Sequence, residues 1–164
     1  MSSVDRAIDT CDTSDMGNHD GSEECAIPQR VWESIECEAY HAGREAGLCG
    51  PRARPGLAAE LYAMDAVERW GELLPEVTTG VMEAIVEGMR AAYRAGYATI
   101  LGEAYAAGWV AGAAGMPASP ALHWREASDL ELELTGGPVR ATVGPQLADA
   151  YMAGHYAGHG ASRS

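Results

Sequence analysis

Apolar side chains recur at helical spacing along most of this chain. In "QRVWESIECEAYHAGREAG", which follows Pro28, Val31, Ile35, Ala39, Ala42 and Ala46 return every three or four residues and predict a first helix over about residues 28–48. The Gly/Pro run "LCGPRARPG" interrupts the pattern. A second helix follows, on which Leu57, Leu61, Met64, Val67 and Leu74 share one face and are expected to point into the core. From Glu76 the helical period continues for roughly 40 residues to Pro117, long enough that a break or kink is expected near Gly102.

After Pro120 the period changes. "LELEL" alternates Leu130, Leu132 and Leu134 with Glu131 and Glu133, and "VRATV" alternates Val139, Ala141 and Val143 with Arg140 and Thr142. With "TGGP" between them, period two on both sides predicts a β-hairpin over about residues 129–143, Arg140 facing Glu131 or Glu133. Gly144-Pro145 then opens a last helix to about Gly158, proline standing where its missing N–H costs little. The expected fold is mainly α: a helical bundle with one long Gly/Ala-rich central helix and a small β-hairpin before the C-terminal helix. Residues 28–161 form its single domain.

Superimposed on these elements is one phrase, A-Y-x-A-G, which begins at Ala39, Ala92, Ala104 and Ala150. The separations share no period, so an array of equal units is excluded. Glycine inside a helix costs about 0.5–1 kcal/mol relative to alanine, and something must offset that loss at each copy. Small residues four apart leave a groove in which a second helix backbone can lie close. Gly43 and Gly47, Gly88 and Gly96, Gly108 and Gly112, and Gly154 and Gly158 are therefore the candidate packing residues. The two central copies start 12 residues apart, about 120° around a helix and about 18 Å along it. They face different neighbours, so the long helix is expected to offer one groove to the first helix and another to the last, or one of them to a second copy of the chain.

Composition and charge change this picture in two places. The chain of 164 residues carries 20 Gly, no Phe and no Lys, a bias that suggests a GC-rich genome. Its formal charge is −13, but residues 1–25 hold seven acids against Arg6, a net of −6, which leaves only −7 for the rest. That opening segment has few apolar residues and no periodicity, so residues 1–27 are expected to be a disordered acidic tail. It lacks the basic start and apolar run of a signal peptide, and cytoplasmic residence with reduced cysteines is the expectation. A membrane span between Ala95 and Met116 is disfavoured by Glu103 and by the scarcity of strongly apolar side chains. With 11 Arg scattered among more acids, nucleic-acid binding lacks an electrostatic basis.

The candidate chemistry is sparse. Cys37 and His41, and His155 and His159, are each four apart and share a helix face. If the first and last helices meet through matching grooves, these four could hold zinc or another divalent metal. Glu38 and His41 also have the Glu-x-x-His spacing of helical di-iron sites, but no second such pair occurs. There is no C-x-x-C, no nucleophile elbow and no phosphate loop, and no catalytic residue is assigned. The function expected is that of a structural or assembly protein acting through close helix packing, self-associating as a homo-oligomer or binding another helical protein. The alternative is a metal-binding helical protein, with or without enzymatic activity.

Overall fold

The structure, a computed structural model, describes residues 27–50, 54–74, 77–136 and 143–163. They form five helices: α1 (Gln29–Cys49), α2 (Pro55–Leu73), α3 (Thr79–Ala113), α4 (Pro120–Thr135) and α5 (Pro145–Ala161). Local chemistry sets most of their ends. Proline occupies the first turn of α2, α4 and α5, and Thr78 Oγ1 accepts from the Val81 N–H to start α3. Gly136 closes α4 at φ 65°, a conformation that residues with a Cβ rarely adopt.

α3 is the axis of the molecule. It is continuous through Gly102, where no kink residue is needed because the position is exposed and nothing approaches it. Its 35 residues span about 52 Å. Gly43 of α1 lies against Tyr93 and Tyr97, and Gly47 against Tyr97 and Ile100, so contacts climb both helices in the same direction and α1 runs parallel to α3. The same ascent, Gly108 against Tyr151 and His155 and Gly112 against His155 and His159, makes α5 parallel to the C-terminal half of α3. Parallel neighbours cannot be joined by a tight turn. α2 therefore carries the chain back from the end of α1 to the start of α3, and α4 returns it toward the start of α5.

α1 and α5 meet end to end beside α3. The Gly144 N–H donates to Leu48 O at 2.7 Å, and Gln146 Nε2 donates to Ala46 O and Gly50 O, both at 2.8 Å. The last carbonyls of a helix have no partner within it, and here the first turn of the following parallel helix supplies one. Two apolar clusters flank this junction. Ile35, Ala39, Ala63, Ala66, Trp70, Ile85 and Met89 fill the first, and Leu48, Ile100, Ala104, Ala111, Ala127, Leu147 and Tyr151 the second.

Two expectations are corrected. The mainly α class holds, but the β-hairpin does not: "LELEL" is the last part of α4, and residues 137–142 lie outside the described residues. Leu and Glu are good helix formers and poor strand formers, so the period-two pattern had no propensity behind it. The buried member is Glu131, while Leu130, Leu132 and Leu134 are exposed. On α2 the expected core face holds only in part: Val67 and Leu74 pack against the first cluster, but Leu57, Leu61 and Met64 are exposed, and Ala59, Ala63 and Ala66 are buried in their stead. Alanine lets α2 lie close over Met89 and Tyr93, where a stripe of leucine would hold it off. Ile27, one residue before the expected start of the domain, also packs in the first cluster. Residues 1–26, where the acidic tail was expected, are outside the described residues.

Candidate functional site

The four phrases pair two and two, each pair parallel and in register. A Cβ built on Gly43 would strike the Tyr93 carbonyl, its carbonyl carbon only 2.8 Å away, and one on Gly96 would strike the Tyr40 carbonyl at 2.9 Å from carbon. The second pair repeats this: Gly108 faces the Tyr151 carbonyl, at 2.9 Å from carbon, and Gly154 the Tyr105 carbonyl, at 2.8 Å. The tyrosine that opens each phrase thus supplies the backbone oxygen, and the glycine that closes it makes room for the partner's oxygen. Gly112 and Gly158 extend the second crossing by one turn against the carbonyls of His155 and Trp109. In the first crossing the extra turn is one-sided, since Gly47 meets the Ile100 side chain.

Each of these carbonyls lies along the Cα–H bond that alanine would replace with a methyl group. Such Cα–H···O contacts are worth about 0.5–1 kcal/mol each, comparable to the intrinsic cost of the glycine that permits them. Gly88 differs in kind, because its neighbours are the Trp32 ring at 3.2 Å and Glu36 Oε1 at 3.3 Å rather than backbone.

Beside the first crossing lies a buried ionic cluster. Arg44, one residue after the first phrase, is 5% exposed and Glu131 on α4 is 3% exposed. Arg44 Nε donates to Glu131 Oε1, and its two terminal nitrogens donate to the two oxygens of Glu103 on α3 at 3.0 Å each. His41 Nδ1 donates to the other oxygen of Glu131 at 3.0 Å, and the guanidinium carbon of Arg44 lies 5.9 Å from the Tyr40 ring centre. Burial pushes the Glu131 carboxyl up, but the hydrogen bonds from His41 and Arg44 and the charge of Arg44 outweigh it, holding the group below the ordinary carboxylate range. For Arg44, burial works against the charge, while Glu103 and Glu131 raise its pKa above the usual arginine value.

Apart from this cluster, α4 packs on the second apolar cluster through Trp124 and Ala127. Its buried residues are Ala127, Ser128 and Glu131, and Ser128 Oγ and His123 Nε2 are buried without a hydrogen-bond partner among the described residues. Burial moves His123 below the ordinary histidine range, and its ring lies 5.8 Å from that of Tyr151 between centroids. Glu131 is therefore the strongest polar tie between α4 and α1. A carboxylate depressed in the folded state adds stability that is complete above its unfolded value, 4.5, and lost as pH falls through the folded value. We expect denaturation midpoints to decline below that pH, and Glu131→Gln to remove part of the decline while lowering stability at neutral pH. An unchanged acid limb in Glu131→Gln would show that other carboxylates set it.

The candidate metal ligands are not brought together. His41 faces Glu131 on α4, whereas His155 Nε2 is 2.8 Å from Met116 O beyond the end of α3. The register of the two crossings separates these histidines by roughly 22 Å along the α3 axis. Cys37 is disulfide-bonded, which corrects the expectation of reduced thiols and takes its sulfur out of thiolate ligation in that state. His159 follows one turn after His155 near the end of α5, and no group of three or more His, Cys, Asp or Glu suited to a metal occurs among the described residues. Glu38, the other half of the Glu-x-x-His spacing, receives Arg69 at 2.8 Å and the Tyr62 hydroxyl at 3.3 Å.

Sequence reasoning did not find the ionic cluster: His41 stood out only as a candidate metal ligand, and Glu103 and Glu131, which join it and Arg44, lie dozens of residues away. No described helix is long and apolar enough to cross a membrane. Comparisons with protein-family models, with curated proteins and with solved structures find no match.

Proposed function

We propose that this chain is a structural or assembly component, a stiff helical body that self-associates. The observation that carries the reading is the use of the fourfold phrase. Six glycines in two crossings meet backbone carbonyls of the same chain, so one long helix holds two others at minimal distance. Such packing leaves no room for a side chain at these six positions, because each glycine lies directly against a carbonyl of the facing helix. The grooves are filled from within the chain, so self-association falls to other surfaces.

The same geometry bears on the alternative. Zinc held by Cys37, His41, His155 and His159 would require α1 and α5 to slide past α3, against the crossings. The disulfide at Cys37 counts against cytoplasmic residence, which implied reduced thiols, since disulfides persist mainly in oxidising compartments.

The test is sedimentation equilibrium over a wide concentration range, with metal analysis of the same samples. The expected result is reversible association without stoichiometric metal. A monomer at every concentration, or tight one-to-one zinc lost in both Cys37→Ala and His155→Ala, would overturn the reading.

A further inference from the structure

The two glycine crossings, α1 on α3 and α5 on α3, make a frame to which α4 does not belong. No glycine lies within α4, and it rests on the second apolar cluster through Trp124 and Ala127, beside Leu48, Leu147 and Tyr151. Its leucines do not hold it there, since Leu122, Leu130, Leu132 and Leu134 are all exposed. The chain enters and leaves α4 through left-handed glycines. Gly115, at φ 68°, and Gly136, at φ 65°, are the positive-φ glycines among the described residues, and a Cβ added at either would meet nothing within 4 Å. Glycines in open space can change φ and ψ without collision, which is what a hinge requires.

The polar contacts that hold α4 down can titrate. Glu131 accepts from His41 and Arg44 of α1, and Arg44 is shared with Glu103 of α3. About two turns earlier on α4, the His123 ring lies against Tyr151 of α5, with Nε2 buried and lacking a hydrogen-bond partner among the described residues. Glu126 of α4 and Glu103 of α3 are the acids that favour its charge. A proton on Glu131 removes the charge that His41 and Arg44 bind. A proton on His123 makes both ring nitrogens donors, one of them buried without an acceptor. His41 acts in the opposite sense, because its protonation strengthens the bond to Glu131, but only while Glu131 is ionised.

We propose that α4 is an acid-released flap: as pH falls it swings off the α1/α3/α5 frame about Gly115 and Gly136 and uncovers the apolar surface around Leu48, Leu147 and Tyr151. This goes beyond the assembly reading and does not depend on it. Both groups have the sign that release requires. Burial holds His123 below its ordinary value of 6.5, and Glu131, despite its burial, is held below 4.5 by His41 and Arg44. Each takes up its proton more readily once α4 is free, so docking weakens through His123 as pH falls below 6.5 and through Glu131 as it falls below 4.5. The crossings meet through backbone atoms, which do not titrate, so the frame outlasts the flap.

Hydrogen exchange read by mass spectrometry on the full-length chain, from pH 7 to pH 3.5 and corrected for the intrinsic pH dependence of exchange, tests this. Protection of the α4 amides should fall at least about tenfold over that range, the effect of one unit of depression in a single group, while α1 and α3 amides at the crossings stay protected. His123→Phe keeps a ring against Tyr151 but does not titrate, and should remove the part of the fall above about pH 5. Glu131→Gln should begin from lower protection at pH 7 and lack the part below. If His123→Phe alters the circular dichroism spectrum at pH 7, His123→Gln takes its place. Protection of α4 that falls in step with α1 and α3 would mean that acid unfolds the whole molecule and would overturn the flap, as would α4 protection that does not change. A fall confined to α4 but unaltered in both variants would assign release to other groups and overturn the roles of His123 and Glu131.

Discussion

Gly108→Leu and Gly154→Leu should each lower stability by about 3 kcal/mol or more, the upper end of overpacking effects or beyond. The obstacle in both cases is backbone. A side chain at 108 meets the Tyr151 carbonyl and the His155 N–H, and one at 154 meets the Tyr105 carbonyl and the Trp109 N–H. Neither can rotate aside, so α3 and α5 must separate along the whole crossing. Gly108→Ala should also destabilise, though less, since a single methyl already collides. The internal control is Gly102→Leu on the same helix, where nothing lies within 4 Å. That change should stabilise by about 0.5–1 kcal/mol through helix propensity alone. Chemical denaturation of the four variants measures the differences. Equal effects at 102 and 108 would mean that the small-residue phrase reflects composition rather than contact.

Arg44→Met is expected to cost about 3–5 kcal/mol, because it leaves Glu131 buried with His41 as its remaining partner. The bidentate arm to Glu103 adds little, since that carboxylate's side chain is 45% exposed and its ion pair is screened by water. The loss should concentrate in α4. Hydrogen exchange of α4 amides should rise in Arg44→Met while α1 and α3 stay protected through their crossing. The double variant Arg44→Met with Glu131→Leu should recover most of the stability, as apolar pairs often replace buried ion pairs without loss. If the double variant is as unstable as Arg44→Met alone, or more so, the cost arises from lost packing around the guanidinium rather than from the stranded carboxylate.

How far the chain could be read from its sequence depended on which physical signal each element carries. The four long helical segments were legible from periodicity, and the two grooves of α3 from the 12-residue offset between its phrases, which turns one toward α1 and the other toward α5. What sequence could not supply was direction. A-Y-x-A-G admits parallel or antiparallel pairing, and only the lengths of the return helices fix the choice. Hydrophobicity alone misplaces part of α2, where closeness to α3 selects Ala63 and Ala66 over Leu61 and Met64. α4 was misread because alternating Leu and Glu imitates a strand when the helical partners of Glu131 lie far away in sequence. The role of Gln146 in ending α1 had no local signal at all, since its acceptors at Ala46 and Gly50 belong to another helix.

The phrases pair first with second and third with fourth, parallel and within one chain. Nuclear Overhauser contacts from glycine α-protons measure this directly, recorded both on uniformly labelled protein and on a mixture of labelled and unlabelled copies that reveals contacts between chains. The expected contacts run from Gly43 to Tyr93 and Tyr97, from Gly96 to Tyr40 and Arg44, from Gly108 to Tyr151 and His155, and from Gly154 to Tyr105 and Trp109, all within one molecule. Contacts in the reversed order along either helix, or the same contacts appearing only between labelled and unlabelled chains, would contradict it.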